Sequence, residues 1–278
     1  MKTFSIQSGS CGNCYYYESG DVRLFFDAGI PMNRALERMR VQGVEPSSMN
    51  GLFISHDHSD HTCGAGVFQR RFQMPVFCAP DTHRVIANRL GKVPQSMFEY
   101  FVPGDRVKIG HVTVTTIPTP HDAANPCMFI VDDGRTRVGI LTDLGHCFSA
   151  LRKCLATLDV VYLESNYDAT LLERNPNYPE RLKKRISSNR GHLENTEAAE
   201  MVRDNAGDRL RVLLLSHLSQ DNNNPGLAVK THRTVLKSRP DLDIQVAPRD
   251  RASNVITREM VRSVSRGAVQ LSLLDCLG

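Results

Sequence analysis

Six consecutive residues hold the densest metal-binding chemistry in the chain: His56, Asp57, His58, Ser59, Asp60 and His61, placed directly after the apolar run GLFIS. On a helix His56 and His58 would point about 200° apart, because successive residues rotate by ~100°. In an extended segment, positions i and i+2 lie on one side. A strand end running into a loop therefore lets both histidines face one ion, and the next turn can aim Asp60 and His61 at a neighbouring ion. Imidazole with carboxylate suits zinc, manganese or iron. Three more ligand-type residues stand just past apolar segments: His121 after VTVTTIPTP, Asp143 at the end of VGILTD and His217 after VLLLS. Strand ends are where an α/β architecture gathers its chemistry.

The elements that must position these residues can be read from the apolar pattern. TFSIQ, NCYYYES and VRLFFDAG read as strands joined by glycine-containing turns. Pro31 suits a helix start, since its missing amide donor would be orphaned there. That helix runs through Ala35, Leu36 and Met39 towards Gly43. Helices are expected over 62–72 and 81–90, on either side of the strand PVFCA. RVKIGHVTVTTIP shows strand alternation broken at Gly110, and CMFIVDD and TRVGILTD flank a turn at Asp133-Gly134. VVYLESN, LRVLLLSHLS and LDIQVAP read as buried strands, preceded by helices over 147–156, 194–205 and 226–238. No linker or repeat divides the chain, so one domain over residues 1–278 is expected, with an uncertain tail from about 250 that regains apolar character at AVQLSLLDCL.

Bulk properties set limits. The chain has 278 residues, 41% of them hydrophobic, which supports a sizeable core. A net charge of +4 permits an anionic substrate without requiring one. The absence of Trp argues against a stacking platform for single strands. The first residues lack the apolar core of a signal peptide, and no run of ~18 apolar residues predicts a membrane span. Eight scattered cysteines are expected to be free thiols in a cytoplasmic protein, and the lone pair Cys11 and Cys14 lacks the second pair that a structural zinc site needs. Oligomeric state is not readable from this pattern.

The ordered series HxHxDH, then His, Asp and His at strand ends, resembles the metallo-β-lactamase superfamily. The resemblance implies an αββα four-layer sandwich with a metal site at one edge. Carried over by position, it implies that His56, His58 and His121 hold one divalent ion, that Asp60, His61 and His217 hold a second, and that Asp143 bridges them. Asp57 falls outside that ligand set and is expected to orient a ligand histidine.

The superfamily contains lactamases, thioesterases, oxygen reductases and phosphodiesterases, and fold cannot choose among them. A carboxylate at 143 favours two similar metal sites, suited to phosphoryl displacement. Glu164 ends the strand VVYLE, and His192 precedes a helix; the resemblance to phosphodiester-cleaving members implies that Glu164 orients His192, which contacts the phosphate or protonates the leaving oxygen. Arg181, Lys183, Lys184, Arg185 and Arg190 lie just upstream and are either a solvated face or contacts to backbone phosphates. The segments SIQSGSCGNCYYYESGDVRLFFDAG, ISHDHSDH, ESNYD, RISSNRGHLEN and SHLSQDNNNP resemble the YycJ (WalJ) group, which implies a DNA exonuclease working 5′ to 3′ with a metal-activated hydroxide as nucleophile. A phosphodiesterase for small cyclic or nucleotide phosphates is the alternative. The amides of Ser8–Asn13 either bind phosphate or simply connect strands. Asn222 and Asn223 either touch substrate or cap the next helix.

Overall fold

A computed structural model describes residues 1–262; the segment AVQLSLLDCL lies outside the described residues. Strands β1 (Lys2–Gln7), β2 (Cys14–Ser19) and β3 (Val22–Phe26) form an antiparallel meander. Strands β4 (Gly51–Phe53), β5 (Val76–Cys78) and β6 (Phe98–Tyr100) extend it in parallel. The second sheet opens with antiparallel β7 (Arg106–Ile109), β8 (Val112–Pro118), β9 (Cys127–Asp132) and β10 (Arg137–Leu141). It continues in parallel through β11 (Val160–Glu164), β12 (Val212–Ser216) and β13 (Asp243–Val246). A last short strand, β14 (Ile256–Thr257), returns to the first sheet beside β1.

Period-two alternation explains why whole strands are apolar. Tyr15 and Tyr17 enter the layer between the sheets, together with Phe26, Phe53, Phe129 and Leu214. Tyr16 points the other way, into the layer it shares with Phe25, Phe68 and Met39. Leu213 and Leu215 face a third layer with Leu151, Ala198 and Leu236. Three apolar layers separate four structural ones, so the chain forms the expected αββα sandwich. Stacked Phe53 and Phe77 rings, 4.5 Å apart, join neighbouring parallel strands at the centre.

The first sheet is covered by α1 (Met32–Val41), α3 (Ala65–Phe72) and α4 (Pro80–Leu90), the second by α5 (Ser149–Leu155), α8 (Asn195–Asn205) and α9 (Pro225–Val235). The helix expected over 62–72 begins at Ala65 as α3, and a separate short helix, α2 (Ser59–Thr62), precedes it, because Gly64 is held against the backbone of residues 28–30 and its amide bonds Ala28 O at 2.7 Å. The basic run forms a helix of its own, α7 (Glu180–Ile186), after the short α6 (Ala169–Arg174). The tail is ordered further than its composition implies. Ser253 N donates to Ser5 O at 2.8 Å, and β14 pairs Thr257 with Lys2. No helix of the described residues is long and apolar enough to cross a membrane, and their cysteines are all unpaired.

Candidate metal centre

The parallel halves of both sheets deliver side chains to one edge. Asp27 follows β3, His56 and His58 follow β4, Asp143 follows β10, Glu164 ends β11 and His217 follows β12. Asp27, Asp143 and His217 turn off their strands in the left-handed region, with φ of +58°, +56° and +56°. Non-glycine residues rarely sit there, and such strain collects at functional sites. Three segments interlock beneath the histidine loop. Asn13 N bonds Asp60 O at 2.7 Å, Ala28 N bonds His61 O at 2.8 Å, and Gly29 lies so close that a Cβ on it would be 1.6 Å from Asp60 O.

The seven candidate ligands converge. The donor atoms of His56, His58 and His121 lie within 4.8 Å of one another, as do those of Asp60, His61 and His217. Asp143 stands between the sets, Oδ2 3.3 Å from His61 Nε2 and Oδ1 3.6 Å from His121 Nε2. His217 Nε2 and His61 Nε2 are each 3.4 Å from Asp60 Oδ2. His58 Nδ1 is 3.3 Å from His121 Nε2. Glu164 Oε1 accepts from His192 Nδ1 at 2.7 Å and from His217 Nδ1 at 3.1 Å, while Oε2 accepts the amides of Leu144 and Leu193.

Neighbours set which nitrogen each ring presents. His61 Nδ1 donates to Asp27 Oδ2 at 2.7 Å, and His121 Nδ1 to Gly191 O at 3.0 Å. Ser55 Oγ donates to Asp27 at 2.9 Å, so the 2.9 Å contact with His56 Nδ1 has the ring as donor. With His217 anchored on Glu164, four rings turn Nε2 into the cluster, and His58 offers Nδ1. Burial pushes the His56 pKa down, helped by the neighbouring His61. Burial opposes protonation of His61 and His217 as well, but Asp143 and the other carboxylates outweigh it and raise both, His217 to about 10. Asp143 and Asp60 are held ionised against their burial, Asp143 chiefly by His217 and Asp60 chiefly by His61. Glu164 falls to about 2, its burial outweighed by His192.

The cluster leaves work undone. His56 Nε2 and Asp143 Oδ2 are buried without a hydrogen-bond partner. Orphaned atoms of that kind cost about 1–3 kcal/mol each. Imidazole nitrogens and carboxylate oxygens converging on one spot fit a divalent cation.

A family model described as the beta-lactamase superfamily domain matches residues 22–217. The chain is 30% identical over 235 residues to the exodeoxyribonuclease YycJ of Bacillus anthracis, spanning 84% of this chain and 88% of that one. It is 31% identical over 244 residues to the exodeoxyribonuclease WalJ of Streptococcus pneumoniae, spanning 87% and 89%. This chain is a metallo-β-lactamase superfamily hydrolase of the YycJ group. In fold it is similar to Zn2+-bound PqqB from Methylobacterium extorquens, with a TM-score of 0.71, 11% identity and coverage of 91% and 100% of the two chains. It is also similar in fold to YhfI from Bacillus subtilis, with a TM-score of 0.67, 18% identity and coverage of 91% and 98%.

Some positions in this YycJ-group hydrolase differ from their sequence reading. The Asp57 carboxylate makes no hydrogen bond or ion pair with a candidate ligand histidine; its Oδ1 accepts Ala124 N at 2.7 Å and so braces the loop that carries His121. The orienting carboxylate is Asp27, whose signal was available as the Asp after the apolar run VRLFF. In the Ser8–Asn13 turn, the amides of Ser8, Gly9, Gly12 and Asn13 already bond within the protein, to Pro248 O, Asn13 Oδ1, Gly9 O and Asp60 O. The turn is thus mainly a connection, and Asn13 Nδ2 reaches His61 Nε2 at 3.1 Å. Asn222 and Asn223 are buried braces, with Asn223 Nδ2 on Ser165 O, while Asn224 caps α9. Of the basic run, Arg185 pairs with Asp122 at 2.7 Å and Lys184 lies 3.9 Å from Glu180.

Proposed function

We propose that this hydrolase is a dinuclear metal-dependent DNA exonuclease that degrades from the 5′ end. The observation that carries the phosphodiesterase reading is the Glu164–His192 pair, 2.7 Å long, set beside Asp143 at 3.7 Å on the rim of the ligand cluster. His56, His58 and His121 would hold one ion and Asp60, His61 and His217 the other, with Asp143 shared between them. Divalent ions there would activate water and offset phosphate charge. Glu164 accepts a hydrogen bond from Nδ1–H of His192 and leaves Nε2 to meet the substrate. The ring is half-buried, as a group that must reach a leaving oxygen needs to be. Asp60 lines the same pocket and helps place the attacking water. The names of the curated relatives support DNA as substrate, and the sequence resemblance supports the 5′ polarity.

The test is incubation of purified protein and manganese with 5′-labelled single-stranded and duplex DNA, alongside bis-p-nitrophenyl phosphate. Release of labelled nucleotide first, lost in His192→Ala, is expected. Intact DNA with turnover of the small diester would point instead to a phosphodiesterase for cyclic or nucleotide phosphates.

A further inference from the structure

We infer that the cleft beyond β13 is a phosphate-binding subsite for the substrate strand, with Arg249 as its cation. This deepens the nuclease reading and rests on it. The parallel strands β10, β11 and β12 deliver Asp143, Glu164 and His217 to the catalytic edge. The next parallel strand, β13, opens at the same edge onto a cleft of about 600 Å³, walled on one side by residues 245–254 and on the other by Ser8, Leu218 and Gln220. The cleft adjoins the metal cluster, because Ser8 Oγ accepts His217 N at 2.8 Å.

Arg249 is part-buried in this wall. Its Nη2 donates to Ser219 O at 3.0 Å, two residues beyond His217. Among the described residues no carboxylate pairs with it, whereas Arg185 and Arg258 are engaged by Asp122 and Asp133. A guanidinium has five donors, and a single carbonyl uses one. A part-desolvated cation answered only by a neutral carbonyl favours an anion, and a phosphate matches its fork. The one acid in the lining, Asp250, is exposed and pairs with Arg251 at 3.2 Å. Gln245 and Asn254 bond to Asp243 and to each other, which leaves the exposed amide of Gln220 on the facing wall to meet a sugar or a base edge. The cleft therefore takes a nucleotide adjoining the one being cut.

The test runs a single-stranded oligonucleotide and bis-p-nitrophenyl phosphate side by side, since the small diester does not extend into the cleft. Arg249→Gln is expected to raise KM for the oligonucleotide about tenfold with kcat little changed, and to leave turnover of the small diester alone. The slope of log affinity against log salt should fall by about 0.7, the value for one lost contact on a single strand. Gln220→Glu places a negative charge in the cleft at an exposed residue, so the fold is not at risk, and it should act in the same direction. Arg249→Lys should recover part of the loss. Unchanged KM and salt slope in Arg249→Gln and Gln220→Glu, with the wild type cleaving both substrates, would overturn the subsite. A wild type that hydrolyses the small diester and leaves DNA intact would overturn the nuclease reading, and the subsite with it.

Discussion

Glu164 and His192, 28 residues apart in the chain, meet at 2.7 Å, and the same carboxylate oxygen reaches His217 at 3.1 Å. One atom thus aligns the proposed proton donor and a candidate metal ligand together. Glu164→Gln keeps the shape but loses the charge, and it should lower kcat by roughly 10²-fold or more, within the range for general acid catalysis. His192→Ala should lower kcat similarly yet leave metal content intact. Steady-state kinetics paired with metal analysis separates the two, and reduced metal occupancy in Glu164→Gln alone is the expected mark of its double duty.

Metal should be worth measurable stability. Asp143 Oδ2 and His56 Nε2 are buried without a hydrogen-bond partner, so ions that bind only the native state should raise the melting temperature. Chelation should lower it, and manganese or zinc should restore it with release of protons. Two ions per chain are expected for the wild type, and one for His58→Ala. Asp27→Asn should weaken metal affinity about 10- to 100-fold by misorienting His61. A chelator titration followed by calorimetry reads all of these.

Gly29 is fixed by contact. A methyl group there would sit 1.6 Å from the carbonyl oxygen of Asp60, so Gly29→Ala must push apart the loops that carry Asp60 and His61. A loss of about 2 kcal/mol or more is expected, in line with overpacking, together with weaker metal binding. Chemical denaturation and metal titration of the variant check both.

One source of the pH response of stability lies away from the candidate metal centre. His232 is fully buried on α9, its Nδ1 donating to Ala228 O at 3.0 Å, and burial lowers its pKa to about 4. The unfolded chain binds this proton from about pH 6.5 downward and the native state only near 4. No penalty exists above pH 6.5; it grows as pH falls and is complete below 4, reaching about 3 kcal/mol. Denaturation of the wild type and of His232→Leu between pH 7.5 and 4.5 should show the variant losing less stability over that window.

The candidate ligands were legible in the sequence because each is chemically conspicuous and follows an apolar run, and strand alternation exposed both sheets. What it hid was relational. Asp27 lies 34 residues from His61 in sequence, and only folding shows that it, rather than Asp57, turns the ring. The double role of Glu164 is hidden for the same reason. Helix α7 has no buried residue, so no apolar period marked it. Strand β14 has two residues, too few to alternate, and gains its structure by pairing with β1. The break between α2 and α3 arises from a backbone crossing at Gly64 that no local pattern encodes.

The left-handed turns at Asp27, Asp143 and His217 place backbone strain at the edge that carries the candidate ligands. Asparagine at 143 would tolerate that turn more easily, but it would also strip His61 and His217 of the carboxylate that favours their charged forms. The two effects oppose each other, so such a variant should lose its chemistry without a matching gain in heat resistance.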